Sequence, residues 1–245
     1  MKALILAAGR GQRLGKESND RPKCLLRFKG RSLLERHLHC LRQLGIEAVV
    51  IAVGYQAQCI HEELEARGIS ASTVYNPDYT QGSIVSLWAL REHMVEEDLL
   101  LMDADVLYDH RMLKRLITTP LPNCFLLDRV FEAGDEPVKL CVRAGQLVEF
   151  RKHLSHELVY DLCGESVGSF RFSKTMAARL AERACYYLEH GWRDQPYEEA
   201  IRDLLRATPY EFGFEDITGL PWIEIDFPED IRRAEHEILP RLLDE

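Results

Sequence analysis

Apolar and polar positions follow two different periods along the chain. Lys2 to Ala7 is a nearly continuous apolar run and predicts a buried strand. From Ser32 to Leu44 the apolar stripe Leu34, Leu38 and Leu41 recurs at helical spacing. Ser32 and Glu35 read as a capping box and Gly45 stands just past the end, so this stretch predicts a helix. The same reading gives a strand over Glu47 to Val53 and a helix over Gln56 to Arg67, stopped by Gly68. A short strand over Ser72 to Tyr75 follows, then a helix over Ser83 to Met94 with Ser83 suited to cap it. Asp98 to Met102 is another buried strand, and Asp109 suits the cap of the next helix. Strand and helix in alternation predict βαβ units, an α/β fold around a mostly parallel sheet.

The middle of the chain reads differently. Pro137 to Val142, the turn residues Ala144-Gly145, and Gln146 to Phe150 predict an antiparallel hairpin. Val167 to Phe172 predicts a strand, and Lys174 to Glu189 and Tyr197 to Leu205 predict helices. Trp222 to Ile225 predicts a strand, and Pro228 opens the last helix. The expectation is a single domain over 1–245 with one mixed sheet. Residues 1–130 would form its first half and residues 131–245 its second.

Composition narrows the classes. The 245 residues carry a net charge of −9, which argues against a broad nucleic-acid surface. The charge is unevenly spread: residues 1 to 36 hold ten basic and three acidic side chains, a net of +7, and the rest a net of −16. A small anionic ligand is therefore expected at the N-terminal segment. The longest apolar stretches, such as Ala48 to Val53, fall well short of the ~20 residues of a spanning helix, so no membrane contact is expected. The run Ala3 to Ala8 is too short for a secretory signal and Arg10 and Arg13 follow it at once. The seven cysteines include no CxxC pair, which points to reduced thiols and a cytoplasmic protein.

The chemistry concentrates first at residues 4 to 14, Leu-Ile-Leu-Ala-Ala-Gly-Arg-Gly-Gln-Arg-Leu. A strand runs into a loop of small residues, Leu6, Ala7, Ala8, Gly9, Arg10 and Gly11, ending at Arg13. Residues without bulk let backbone N–H groups approach phosphate oxygens, and arginine adds bidentate hydrogen bonds. Lys23 supplies a second cation. The string is neither a P-loop nor a dinucleotide fingerprint, because GxxxxGK[ST] is absent and Leu14 stands where a third glycine would be. Asp103 and Asp105 end an apolar strand, at the edge where open α/β sheets bind ligands. They would share a face unless the chain bends. Asp105 suits Mg²⁺, and Asp226 suits a second ligand position. Taken alone, Asp226 before Phe227-Pro228 reads better as a helix cap; beside the glycine loop and Asp105, the ligand reading prevails.

Leu-Ala-Ala-Gly-Arg-Gly-Gln-Arg-Leu followed by Arg21-Pro22-Lys23-Cys24-Leu25-Leu26 resembles the signature of the nucleoside-diphosphate-sugar pyrophosphorylase superfamily of nucleotidyltransferases. Leu101-Met102-Asp103-Ala104-Asp105 and Trp222-Ile223-Glu224-Ile225-Asp226-Phe227-Pro228-Glu229-Asp230 are similar to its two metal-site motifs. Gly82-Ser83-Ile84-Val85-Ser86-Leu87-Trp88 resembles the base-recognition segment of the branch acting on phosphocholine, inositol phosphate or aminoethylphosphonate. The resemblance covers essentially the whole chain. It departs at Gly15-Lys16-Glu17-Ser18 and Leu26-Arg27, where sugar-phosphate members carry Pro-x-Thr and a proline, and at Gln81-Gly82-Ser83, where choline-type members are asparagine-rich.

The resemblance implies a Rossmann-like fold, mostly parallel and flanked by helices, of the type shared with some glycosyltransferases. It implies transfer of a nucleotidyl group, cytidylyl in the first reading, from a nucleoside triphosphate to a small phosphorylated alcohol or phosphonate. Arg13, Lys23, Asp105 and Asp226 would be the catalytic set, with Mg²⁺ as cofactor on Asp105 and Asp226. Gly82 and Ser83 would join the nucleotide site; residues 1–130 would mainly bind the nucleotide, and residues 131–245 would bind the acceptor and carry the second metal-ligand motif. No side-chain nucleophile is needed, because the attacking phosphate arrives largely deprotonated. Glu165, Trp192, Asp194, Tyr197 and Glu198 are candidates for the acceptor, as aromatic faces and carboxylates suit an ammonium group. Core anchoring and a favoured acidic first helical turn explain several of them better. The alternatives are a sugar-1-phosphate uridylyltransferase or other nucleotidylyltransferase, and a catalytically silent nucleotide-binding regulator. With the resemblance filling about all 245 residues, a single activity without an appended domain is expected.

Overall fold

The computed structural model describes residues 1–18, 21–132 and 134–243. In chain order the strands and helices are β1 (Lys2–Ala7), β2 (Arg27–Phe28), β3 (Arg31–Ser32), α1 (Leu33–Gln43), β4 (Val49–Val53), α2 (Ala57–Ala66), β5 (Ser72–Tyr75), α3 (Ser83–Ala89), β6 (Leu99–Asp103) and β7 (Val106–Tyr108). The remainder are α4 (His110–Thr118), β8 (Cys124–Asp128), β9 (Lys139–Arg143), β10 (Gln146–Arg151), β11 (Leu162–Phe172), α5 (Lys174–Glu189), α6 (Tyr197–Ala207), β12 (Gly213–Asp216), β13 (Trp222–Glu224) and α7 (Pro228–Arg233).

Nine strands form one mixed sheet in the order β10-β9-β11-β6-β1-β4-β5, with β8 beside β11 and β12 beside β8. Only β10 and β11 run against the other strands of this sheet. Helices cover both faces. Leu4, Val50 and Leu101 join α3, α5 and α6 on one side, while Ala3, Ile5, Ile51 and Met102 join α1 and α4 on the other. β1 is thus buried on both faces, which is why its sequence after Lys2 is continuously apolar rather than alternating.

The expected elements appear with several changes. β8 and β12 extend the sheet where no strand was expected, and β11 begins well before Val167. β13 does not join the main sheet; it pairs antiparallel with β7 in a separate two-stranded ribbon. The predicted helix from Ser83 to Met94 ends at Ala89 and continues as a 3₁₀ turn, and Ser83 is its first residue rather than its cap. The carbonyls of Arg193 and Gln195 accept from the N–H groups of Gly82 and Ile84. The first turn is therefore satisfied from outside, and the Ser83 hydroxyl accepts from the Tyr197 N–H instead. At α1, Ser32 caps as expected by accepting from the Glu35 N–H, but the Glu35 carboxylate reaches Arg67 at 3.3 Å rather than completing a box.

The densest packing lies under β8, β10 and β11, where Phe125, Phe150 and Phe170 meet edge to face with centroids 5.1–5.8 Å apart. Phe170 is fully buried and also meets the ring of Tyr197 at 6.1 Å. Phe170→Ala is expected to cost about 3–5 kcal/mol, read as a lower urea midpoint with an unchanged slope. A loss under about 1 kcal/mol would show that this cluster does not anchor β11. Among the described residues no helix is long and apolar enough to cross a membrane.

Candidate active site

The carboxyl ends of β1 and β6 open into a cleft of about 490 Å³. Leu6, Ala7, Ala8, Gly9, Gly11, Gln12 and Arg13 form one wall. Gly11 sits at φ 63°, and a Cβ there would lie 2.6 Å from Lys23 Cγ. Glycine is required twice over, for the left-handed turn and for the lysine stem that crosses it. A larger hollow of about 750 Å³ lies at the other end of the parallel strands, beside Val49 and Ser70, and contains none of the candidate residues.

Three segments far apart in sequence meet at the floor. Asp105 sits in the turn between β6 and β7. β7 pairs with β13, placing Val106 opposite Glu224, and the Ile225 N–H donates to the Asp105 carbonyl at 3.0 Å. Asp105, Glu224 and Asp226 consequently present carboxylate oxygens within 4.8 Å of one another. Asp226 is not a helix cap: the Asp230 carboxylate accepts from the N–H groups of Asp226 and Phe227, at 2.9 and 2.7 Å, and leaves the Asp226 side chain for the cleft. Lys23 Nζ lies 3.2 Å from Asp105 Oδ2 and 2.5 Å from Asp226 Oδ1. Arg13 spans Asp226 at 3.0 Å and Glu136 at 2.7 Å, with its guanidinium 4.9 Å from the Phe227 ring centroid. Glu136 also meets Lys152 at 3.2 Å.

Carboxylates outnumber cations in the cleft lining. Burial alone would discharge Lys23, but Asp105 and Asp226 outweigh it and raise its pKa, so it remains a cation. Glu224 opens to the cleft; its pKa is nevertheless pushed well up, first by desolvation and then by Asp105, Asp226 and Asp103. Three converging carboxylates with hard oxygen donors fit a magnesium ion, which takes one or two carboxylates and completes its shell with phosphate and water.

Asp103 takes a different course from Asp105, because the chain turns at 104–105 where the strand ends. It accepts from the Tyr197 hydroxyl at 2.7 Å, and a Cβ on Gly168 would lie 2.0 Å from its Oδ2. Burial, then Asp105 and Glu198, raises its pKa well above the carboxylate range.

The other candidates are only partly brought together. Ser83, Tyr197 and Glu198 line the cleft with Lys152 and Pro196. Glu198 Oε2 is buried, with no hydrogen-bond partner among the described residues. Gly82 backs the wall, since a Cβ there would lie 2.3 Å from the Gln195 carbonyl oxygen, and the backbone of Asp194 presses on the same spot. Arg10 is turned onto Tyr55, 5.6 Å from the ring centroid. Trp192, 45% exposed, packs on Tyr186, Tyr187 and His190 outside the cleft lining. Glu165 pairs with Asp128 across β11 and β8, also outside the lining. Tyr79, Gln81, Ser86, Lys152 and Glu224 line the cleft without having been singled out.

Burial and then the neighbouring Asp128 raise Glu165 to about 7 from its ordinary 4.5. The folded state therefore holds its proton more tightly, so this group's contribution to stability is complete below pH 4.5, falls as pH rises through 7, and is flat above. Glu165→Gln is expected to gain on the order of 1–3 kcal/mol at pH 8 relative to pH 4 when denaturation is compared with wild type. An equal effect at both pH values would remove this account.

Fold and site together define an α/β protein of the nucleoside-triphosphate transferase class. Residues 3–160 match the model of the MobA-like NTP transferase domain, and the chain belongs to that family. It is 31% identical over 240 residues to a bifunctional IPC transferase and DIPP synthase of Rubrobacter xylanophilus, covering 97% of this chain and 52% of the relative. It is 28% identical to a CMP-5′-(3-aminopropyl)phosphonate synthase of Streptomyces rubellomurinus, covering 98% of this chain and 39% of the relative. The chain spans about half the length, or less, of these curated relatives. The solved structure of a CTP:phosphocholine cytidylyltransferase from Streptococcus pneumoniae has the same fold, with a TM-score of 0.78 at 22% identity, covering 97% of this chain and 98% of that one.

Proposed function

We propose that this chain is a Mg²⁺-dependent nucleotidyltransferase that moves a cytidylyl group from CTP to the phosphate or phosphonate oxygen of a small acceptor, releasing pyrophosphate. One observation carries the reading: a single cleft joins the glycine loop, Arg13 and Lys23 to the carboxylates of Asp105, Glu224 and Asp226. The loop N–H groups and Arg13 hold the β- and γ-phosphates, and Arg13 stays with the leaving pyrophosphate. Lys23 holds the α-phosphate against the incoming phosphate oxygen, so that attack is in line. The acceptor brings its own nucleophile, and no side chain of the protein forms a bond to phosphorus. When bound, Mg²⁺ on Asp105, Glu224 and Asp226 supplies charge neutralisation at the α-phosphate.

The relatives' names support CTP as donor and a phosphorylated or phosphonate small molecule as acceptor. Glu198 supports an acceptor with a positively charged nitrogen, because its buried oxygen lacks a partner in the wall that also holds Lys152 and Tyr197. The test is pyrophosphate release from each of four ribonucleoside triphosphates in magnesium. The acceptors are choline phosphate, aminoethylphosphonate, inositol phosphate and glucose 1-phosphate. Release with CTP and one of the first three is expected. Release only from UTP with glucose 1-phosphate overturns the cytidylyl assignment, and release from no pair overturns the transfer itself in favour of a nucleotide-binding regulator.

A further inference from the structure

The Lys23 ammonium lies where the carboxylates converge. It meets Asp105 at 3.2 Å and Asp226 at 2.5 Å, two of the three groups that fit a divalent cation. Arg13 takes the second oxygen of Asp226 at 3.0 Å. The lysine side chain is 15% exposed, so solvent screens its charge poorly, and a doubly charged ion entering beside it meets strong repulsion. Its stem lies against Gly11 in the phosphate loop, with Cε 3.2 Å from where a Cβ would be. With the stem against the loop, rotation of the terminal bonds would move the ammonium off the carboxylates while it stays in the cleft the loop lines. Arg13 is anchored on the same loop and has the same choice.

We propose that Lys23 is a resident cation that keeps divalent metal out of the carboxylate trio until a triphosphate in the glycine loop draws it away. The metal then enters with the nucleotide or after it, not before. The proposal rests on the trio being the metal site, but it concerns order of binding and needs no turnover to be tested.

The probe is Mn²⁺, titrated into the nucleotide-free full chain and followed by calorimetry and by the electron paramagnetic resonance of the free ion. Wild type is expected to bind Mn²⁺ weakly. Lys23→Met keeps the stem and removes the charge, and is expected to bind at least about tenfold more tightly. Lys23→Arg keeps the charge and is expected to stay weak. Asp105→Asn in the Lys23→Met background should lose the gain, which places the ion on the trio. Thermal melting of each variant checks the fold, and Lys23→Ala serves if the methionine variant does not fold. A neutral variant that binds Mn²⁺ no better than wild type, or worse, overturns the proposal. A gain that survives Asp105→Asn also overturns it, because the ion then sits elsewhere. Pyrophosphate release is a separate measurement, so failure of the transferase reading and failure of this one are told apart.

Discussion

Asp105→Asn is expected to lower kcat by about a hundredfold to a thousandfold in the pyrophosphate-release assay, with little change in melting temperature. That loss corresponds to roughly 3–4 kcal/mol of transition-state stabilisation. The side chain keeps its shape and loses only its charge, at the point where three segments converge. Glu224→Gln should behave similarly, since Glu224 belongs to the same carboxylate trio. Asp103→Asn should cost much less in rate, because Asp103 is committed to the Tyr197 hydroxyl. Equal losses at 103 and 105 would show that the turn between them does not divide their roles. A kcat for Asp105→Asn within about fivefold of wild type would remove the metal assignment altogether.

Lys23→Ala should show the opposite balance to a simple binding residue. On the proposed reading loop N–H groups and Arg13 hold the nucleotide, so its KM should rise only a few fold. Turnover should fall by about a hundredfold or more, because the charge that gathers the α-phosphate and the nucleophile is gone. The same residue is then expected to slow the reaction when removed and yet to strengthen metal binding to the nucleotide-free protein. A KM effect larger than the kcat effect would assign Lys23 to ground-state binding.

Much of this site is legible in the chain because its parts are local. The glycine loop follows a strand with no intervening residues, and Arg13 and Lys23 are close to it in sequence. Asp226 is two residues before a proline that must start a helix, and only the neighbouring Asp230 explains why it does not cap. Glu224 was there to be read: it alternates with Asp226 along an extended segment, so the two share a side. Lys152 carries no such signal. It reaches the cleft only because β10 ends there, and that end is set by pairing with β9. The aromatic residues near 192 satisfy local composition rules for an ammonium cage, but the turn at Gly191, with φ 74°, leaves Trp192 on the rings at the end of α5. β8 and β12 were missed for a related reason. Each is short, and each is a strand by virtue of a neighbour distant in sequence.

The ribbon of β7 and β13 also bears on the order in which the molecule is made. Asp105 is synthesised well before Glu224 and Asp226, and the ribbon that unites them requires a loop closure across more than a hundred residues. β1, β4, β5 and β6 can pair while that ribbon is still missing. A nascent chain at the ribosome therefore carries β1 and the loop after it beside an unfinished carboxylate floor. The three carboxylates meet only when β13 has emerged and paired with β7.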